Sequence, residues 1–413
     1  MESPAQLHAA TASVKSGALS PLRDPIFRSL WIAAVISYTG SWMQNIATGW
    51  LMTSLTSSPM LISLVQVALS LPVLLIALPA GAIADLVDRR KFLLITQTSM
   101  VGASMVLGIL TITGTCTPTL LLIFTFLLGV GAVMNDPAWQ ALTPELVPAT
   151  KLANAVALNS AGFNIARAVG PALGGLVIAT AGSGAAFLLN AISFFGVILF
   201  LYRWKPAPHQ PDKIKSTISG AISMGLRFVR QDKRIRACLA RTLAFSLFAS
   251  AFWALLPLIA SRFGAEGYGA MLAFFGLGAL AGALLLALAR SHFSFDKITV
   301  VATLIFAVAL CGLVRTSNLF MASAFASAAG LAWISILATL NLVAQTACPS
   351  WVRARVISMY VLFLQGGMAL GSALWGEVAS YTSVKFTLTL AAAALVLGLL
   401  LAPRYRLYHA EGQ

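Results

Sequence analysis

Charged residues are scarce in this chain, where Asp, Glu, Lys and Arg together make up 9% of the 413 residues. Soluble globular domains carry about 25% charged residues. The same chain is 59% apolar. This balance excludes a sizeable water-soluble domain, because such a domain needs a charged surface, and it predicts several membrane-spanning segments.

Cysteine and histidine are also sparse, with four residues of each. The cysteines lack the spacing of metal ligands or of a disulfide framework, and the histidines fall in predicted loops and tails. No Gly-rich loop ending in Gly-Lys-Ser or Gly-Lys-Thr is present, which argues against ATP hydrolysis by this chain. We therefore expect no metal, no cofactor and no enzymatic activity. The first 20 residues lack an apolar core, so we also expect no cleavable signal peptide.

The few charges are biased in sign, with 27 Lys and Arg against 12 Asp and Glu and a net charge of +15. A basic balance can indicate nucleic-acid binding, but these residues concentrate in alternate connections between apolar segments. The exceptions are Arg167, Arg262, Arg315 and Lys385. By the positive-inside rule, the basic face and both termini are cytoplasmic. We therefore expect contact with anionic membrane lipids and no nucleic-acid partner.

Twelve apolar segments are long enough to cross about 30 Å of hydrocarbon, which takes about 20 helical residues. They are 29–54, 60–84, 92–113, 118–140, 153–180, 184–202, 242–261, 268–289, 298–314, 318–343, 356–379 and 386–402. The prediction is an all-α membrane protein with two six-helix halves. Its parts are a cytoplasmic tail (1–28), a first half (29–202), a basic cytoplasmic linker (203–241), a second half (242–402) and a cytoplasmic tail (403–413). The amphipathic stretch 217–229 of the linker suits a position along the membrane surface.

The two predicted halves resemble each other at a shift of 201 residues. The shift aligns residues 170–175 with 371–376, and it also aligns Pro148 with Pro349. Matches of Gly and Pro carry weight because these residues fix backbone shape and helix approach. An even number of spans in each half predicts two parallel, pseudo-symmetric repeats. This is a transporter architecture, with the substrate path between the halves.

The segment that joins the second and third predicted spans has the sequence GAIADLVDRRK, at residues 81–91. It resembles the cytoplasmic loop signature of the major facilitator superfamily. The resemblance implies that Gly81 allows close helix approach and that Asp85 contacts the start of span eleven. It also implies that Arg89 and Arg90 complete a cytoplasmic gate. An acidic group at an exposed helix N-terminus is favoured by about 0.3–1 kcal/mol, which suits a contact that must also open.

The same loop departs from the family signature at two positions. Leu86 stands where a basic residue is usual, and Asp88 stands where glycine is usual. The alternative interpretation is a turn at the membrane edge whose charges only set the topology.

A longer block, residues 135–175, resembles the bacterial exporter branch of the superfamily that contains the enterobactin exporter, as does GSWMQ at 40–44. The similarity covers nearly the whole chain. It implies that span five carries the packing motif associated with exporters and antiporters. The motif residues here are Gly170, Pro171, Gly174 and Gly175. Pro171 can bend its helix; the alternative is an ordinary contact between helices with small residues.

Charged groups inside hydrocarbon are costly, so the few that are retained are candidates for function. Asp136 in span four and Arg167 in span five are the candidates for proton coupling. The alternatives are a carboxylate that caps a helix end or faces water, and an arginine in a structural ion pair. Antiporters of the superfamily often carry an arginine where this chain has Thr125, which puts proton coupling in question.

Aromatic and amide side chains are the candidates for a substrate cavity, because the resemblance implies that spans one, four, seven and ten line it. The candidates are Tyr38, Trp42, Gln44, Asn45, Asn135, Trp139, Trp253 and Asn341. Such a lining suits a large amphipathic or aromatic solute, although tryptophans also form interfacial belts.

We therefore expect a secondary transporter that exports a small organic molecule, such as a siderophore, a drug or another lipophilic metabolite. It is expected to work by alternating access with proton antiport. The alternative is a lipid or lysophospholipid transporter on the same fold. We expect a monomer in the bacterial inner membrane.

Overall fold

A computed structural model describes residues 19–204 and 232–407, and all regular structure in these ranges is helical. The prediction of an all-α protein is thereby confirmed. The predicted amphipathic stretch 217–229 lies outside the described residues, as do residues 1–18 and 408–413 of the predicted tails.

The helices follow one another along the chain with short connections. They are α1 (Pro25–Leu55), α2 (Pro59–Leu86), α3 (Arg89–Ile112), α4 (Pro118–Leu146), α5 (152–181), α6 (183–203), α7 (Lys233–Ala260), α8 (Gly264–His292), α9 (Phe295–Arg315), α10 (Leu319–Thr346), α11 (Ser350–Tyr381) and α12 (Val384–Gly398). Helices α5 and α6 belong to one helical stretch that is interrupted at Gly182, whose φ is 80°. Only glycine adopts this conformation readily, because it has no Cβ.

Polar side chains just before the helices explain where many of them begin. Each accepts a hydrogen bond from a backbone N–H of the first turn, which would otherwise lack a partner. These capping residues are Asp24, Ser58, Asp88, Thr117, Asp232, Ser294, Asn318 and Ser383. Asp88 accepts from the N–H of Lys91 at 3.1 Å, so this departure from the family signature starts α3.

Eight helical stretches of the described residues are long and apolar enough to cross a membrane. Two of them, Ala149–Arg203 and Lys233–His292, contain 55 and 60 residues. Because one crossing takes about 20 residues, each of these stretches is long enough for two. The first is divided at Gly182, and the second is divided between α7 and α8.

Helix α7 begins at Lys233, so residues 233–241 of the predicted linker are helical. Arg241 in this first part of α7 is only 9% exposed. Its guanidinium forms an ion pair with Asp296 and donates a hydrogen bond to Thr299 at 2.5 Å. A basic residue that resembles a loop residue in the sequence is therefore satisfied inside the helix bundle.

The helices pack in a pattern that repeats when six is added to each helix number. Helix α1 packs against α5 and α6, α2 against α4, and α3 against α4 and α6. Correspondingly, α7 packs against α11 and α12, α8 against α10, and α9 against α10 and α12. The two sets meet where α2 packs against α11 and where α5 packs against α8. The same correspondence between helices relates these two contacts, because α2 corresponds to α8 and α5 corresponds to α11.

Candidate substrate cavity

A central cavity of about 570 Å³ lies between the two sets of helices. Seven helices line it: α1, α2 and α5 from the first set, and α7, α8, α10 and α11 from the second. The lining residues are Trp42, Asn45, Ile46, Gly49, Ile62, Val65, Gln66, Leu69, Ser70, Phe163, Arg167, Pro171, Trp253, Pro257, Tyr268, Leu272, Trp333, Leu364, Gln365 and Met368. A cavity of this size and mixed lining can hold a drug-sized organic molecule.

The wall of this cavity is mainly aromatic and aliphatic, with a few neutral polar groups. Trp253 and Trp333 pack edge to face with ring centroids 5.7 Å apart. The indole Nε1 of Trp253 is buried and has no hydrogen-bond partner within the described residues. Because buried donors are normally satisfied, this N–H is a candidate group for binding a substrate acceptor.

A second aromatic cluster joins α1, α4 and α5 beside the cavity. The ring of Tyr38 packs edge to face against Phe163 at 5.5 Å and against Trp139 at 6.5 Å. Phe163 also packs against Trp42 at 6.4 Å. The structure thus brings together the predicted residues Tyr38, Trp42 and Trp139, of which only Trp42 lines the central cavity itself.

The two charged candidates of spans four and five lie next to this cluster. The guanidinium carbon of Arg167 is 5.8 Å from the ring centroid of Trp42, a cation–π arrangement. Asp136 lies on an open face of α4, and its carboxylate interacts electrostatically with Tyr38. No ion pair within 4.0 Å joins Asp136 to Arg167 among the pairs of the described residues. Arg167 is the only charged residue among the described residues of the cavity wall.

Two of the predicted cavity residues point elsewhere. The side chain of Gln44 accepts hydrogen bonds from Ser104 at 2.8 Å and from Asn190 at 2.7 Å, which ties α1 to α3 and α6. The side chain of Asn135 accepts from Gln97 of α3 at 3.1 Å. Both amides are buried in contacts between helices of the first set and do not line the central cavity.

Asn341 lines a second, more open cavity of about 690 Å³. This cavity lies between α5, α8, α10 and α11, near the helix ends that carry the basic residues. Its wall consists of Ser160, Asn164, Arg290, Ile334, Leu337, Ala338, Asn341, Leu342, Gln345 and Tyr360.

The predicted packing motif of span five lies where helices approach most closely. A Cβ atom on Gly170 would lie 2.5 Å from the Cβ of Trp42, and one on Gly174 would lie 3.0 Å from the Cα of Met43. Gly175 faces α8 instead, where a Cβ would lie 2.8 Å from the Cα of Gly269. Pro171 lies between these glycines and lines the central cavity.

The two sets of helices therefore touch at the end that carries the sparsely charged loops. There, α5 meets α8 at Gly175, and α2 meets α11 where Gly376 lies against Ser63 and Met60. Neither contact leaves room for a side chain. At the opposite end, where the basic loops lie, the cavity beside Arg290 separates α5 from α8 and α10.

The basic residues of the predicted gate make contacts within the first set of helices. Arg89 forms an ion pair of 2.5 Å with Glu145 at the end of α4. Arg90 donates to the carbonyls of Leu201 and Tyr202 at 2.6 Å each, which satisfies the C-terminus of α6. Gly81 and Asp85 lie in α2, but their contacts lie outside the described part of the structure.

Several polar cavity residues were not among the sequence candidates, because only spans one, four, seven and ten were searched. Gln66 of α2, Tyr268 of α8 and Gln365 of α11 line the central cavity. Pairs of helices from the second and fifth positions of each half form the contact between the halves. The repeat in the sequence was the signal that could have identified helices α2, α8 and α11 as part of the cavity wall.

Long apolar helices around a central cavity, built from two sets with the same packing pattern, define a polytopic membrane transporter of the major facilitator type. The chain belongs to the transmembrane secretion effector family of the major facilitator superfamily, whose family model matches residues 16–413. The resemblance seen in the sequence is thereby confirmed, and the protein is a transporter and not an enzyme.

Curated relatives match over most of the chain. It is 26% identical to the multidrug efflux pump Tap of Mycolicibacterium fortuitum, over 93% of this chain and 97% of the relative. It is 26% identical to the enterobactin exporter EntS of Shigella boydii, over 92% of this chain and 94% of the relative.

Among solved structures, a bacterial homolog of the human lysosomal transporter Spinster, in an inward-facing and unoccupied conformation, superposes with a TM-score of 0.72. The superposition covers 93% of this chain and 96% of the Spinster homolog's chain, at 16% sequence identity. This likeness shows that the two proteins share a fold.

Proposed function

We propose that the protein is a secondary transporter that exports a small organic molecule by alternating access. The observation that carries this proposal is the central cavity, which is lined by helices of both sets and is enclosed where these sets touch. A cavity at this position can open to either side when the sets rock against each other. The relatives named as an efflux pump and as an enterobactin exporter support export as the direction.

The proposed architecture has twelve spans in two pseudo-symmetric halves, with the linker between α6 and α7. The repeated packing pattern supports it, as do the two helical stretches that are long enough for two crossings each. In the proposed topology the basic loops and both termini are cytoplasmic. The contacts at Gly175 and Gly376 then close the outer end, and the conformation is inward-facing.

The proposed substrate is an amphipathic molecule with an aromatic or other flat apolar part. Trp42, Phe163, Trp253 and Trp333 present such surfaces to the cavity, and aromatic rings bind flat apolar groups well. The N–H of Trp253, which has no partner within the described residues, supplies a hydrogen-bond donor. Arg167 favours a substrate that is neutral or negatively charged over one that is positively charged, because it is the only charge on the described wall.

We further propose that a proton gradient drives export and that Asp136 carries the proton. Asp136 has no ion-pair partner within 4.0 Å among the described residues, so no neighbouring cation holds its carboxylate in the charged form and it can bind and release a proton. Protonation would remove a negative charge next to Tyr38 and the aromatic cluster. A change in charge at this place can couple the proton to the substrate.

The test measures uptake of a fluorescent drug into inverted membrane vesicles under an imposed proton gradient, because export from the cytoplasmic side is uptake in this orientation. Collapse of the gradient should abolish uptake, and Asp136→Asn should abolish the dependence on the gradient. The matched control is Glu377→Gln, which makes the same chemical change at an exposed position of α11 and should keep coupled transport. Transport that ignores the gradient would exclude antiport, and full coupling in Asp136→Asn would exclude this residue.

A second candidate function is transport of a lipid or a lysophospholipid. The observation that favours it is the open cavity beside Arg290, where a basic group faces the space between helices at the end with the basic loops. Proteoliposomes that contain a headgroup-labelled lysophospholipid would distinguish the two functions. Accelerated movement of the lipid between leaflets, without efflux of soluble drugs, would replace the first proposal by the second.

A further inference from the structure

Arg290 in the last turn of α8 has no ion-pair partner among the described residues. Its Nε and Nη2 atoms are buried and make no hydrogen bond within the described residues. The residue as a whole is half-buried and lines the second cavity. A buried cation with unsatisfied donors is costly, so this arrangement points to a group that is absent from the protein itself.

The internal repeat aligns Arg290 with Arg89 in the sequence, but the two arginines occupy different positions in the helices. At the shift of 201 residues, Arg290 corresponds to Arg89, which pairs with Glu145. The position that corresponds to Glu145 is Thr346, whose hydroxyl donates to the carbonyl of Leu342 at 2.9 Å. Arg290 lies in the last turn of α8, whereas Arg89 begins α3, so the ion pair of Arg89 has no counterpart at Arg290.

The other polar residues of the cavity wall do not take the place of that carboxylate. Gln345 donates to the side chain of Asn341, and the hydroxyl of Tyr360 donates to the carbonyl of Leu337 at 3.1 Å. Asn164 donates to the carbonyl of Ser160 at 2.8 Å. These side chains are neutral, and Arg290 is the one charged residue among the described residues of this wall.

We propose that this cavity binds an oxyanion, namely a carboxylate, sulfonate or phosphate group, through the guanidinium of Arg290. The planar fork of donors on arginine matches the geometry of these groups. The amides of Asn164, Asn341 and Gln345 supply neutral polar groups beside the bound anion. The wall of this cavity shares no residue with the wall of the central cavity, and the proposal does not depend on the direction of transport.

Two sources of the anion are compatible with this chemistry, a soluble anionic solute and the headgroup of an anionic lipid. The experiment uses the reporter Ala338→Cys, which lies on the cavity wall, in the full-length chain with its four cysteines replaced by serine. The purified protein is placed in nanodiscs, and the rate of reaction with a neutral maleimide is measured. One arm adds sodium salicylate or inorganic phosphate to phosphatidylcholine nanodiscs. The other arm replaces part of the phosphatidylcholine by phosphatidylglycerol.

We expect at least one arm to slow the labelling by about threefold once the anion is present at twice its dissociation constant. Arg290→Gln should abolish this protection. The matched control is Lys297→Gln, which removes a positive charge near the same helix ends, where its ammonium lies 4.5 Å from the ring centroid of Phe293. This control should keep the protection.

Arg290→Lys keeps the positive charge but loses the planar pair of donors, so it should give intermediate protection. This variant also serves as the test if Arg290→Gln does not fold. Protection by the soluble anions identifies a solute site, and protection by phosphatidylglycerol alone identifies a lipid headgroup site. The proposal is overturned if neither arm slows the labelling, or if Arg290→Gln is protected as well as the parent protein.

Discussion

Adding one methyl group at Gly175 should open the end of the cavity that is closed in this structure. A Cβ atom at this position would lie 2.8 Å from the Cα of Gly269 and 3.0 Å from the carbonyl oxygen of Ala265. Carbon atoms in ordinary contact are about 3.5–4.0 Å apart. Helices α5 and α8 must therefore separate in Gly175→Ala, whereas a conformation in which they already stand apart is unaffected.

The size of the effect follows from the cost of overpacking, which is about 1–3 kcal/mol for an added group in a tight interface. Since about 1.4 kcal/mol corresponds to a factor of ten in an equilibrium constant, the population open at this end should rise by roughly 5- to 150-fold. Overall folding should change little, because the strain is relieved by a rigid movement between the two sets of helices.

The assay is labelling of Leu272→Cys, a buried position on the cavity wall, in a background without other cysteines. A membrane-impermeant thiol reagent is added to whole cells, so that it reaches the cavity only from outside. The labelling rate should rise at least about fivefold in Gly175→Ala, the lower end of the range worked out above. The control is Gly102→Ala, where no atom lies within 4 Å of the new Cβ. Equal rates in the two variants would refute the reasoning.

Three further predictions concern single side chains. Arg241→Gln should lower the free energy of unfolding by about 2 kcal/mol, because a buried guanidinium is lost and Asp296 loses its cationic partner. Arg89→Gln should cost at most about 1 kcal/mol, because Arg89 is more exposed than Arg241. Equal losses in denaturation experiments in detergent would contradict this. Gln44→Leu should cost about 1–3 kcal/mol in the same measurement, since two buried donors lose their acceptor, and the same change at the exposed Gln140 should be nearly neutral. Trp253→Phe should raise the KM for transport by roughly 2- to 10-fold if the substrate accepts a hydrogen bond from the indole. An unchanged KM would exclude that contact. The control is Trp375→Phe, which should keep the KM because the indole of Trp375 already donates to the carbonyl of Leu247.

The helical nature of the chain and several helix ends could be predicted from the sequence, because they depend on local chemistry. Helix α4 begins at Pro118 as predicted, since Thr117 caps it and proline fits the first turn. Helix α7 begins earlier than the predicted span, at Lys233. Its charged first part resembles a loop in hydropathy, but burial of Ile235 and Cys238 and the contact of Arg241 with Asp296 make it part of the bundle.

The candidate site was predicted in part, and the difference follows from which neighbours each side chain meets. Tyr38, Trp42, Trp139 and Arg167 do gather in one region, because their positions on α1, α4 and α5 face one another. Arg290 received no functional role in the sequence analysis. The role proposed for it rests on its buried, unsatisfied hydrogen-bond donors, which depend on the tertiary structure.

Scarce charges, long apolar runs and the spacing of Gly and Pro are properties of the chain, and they are enough to predict a helical membrane transporter with an internal repeat. Which face of each helix meets lipid, a neighbouring helix or the cavity depends on the packing of the helices. Gln44 and Asn45 are adjacent in the chain, yet Gln44 bonds to α3 and α6, whereas Asn45 lines the cavity. Successive residues of a helix point about 100° apart, at 3.6 residues per turn. In an apolar bundle, hydropathy does not show which face of a helix lines the cavity, because every face can be apolar.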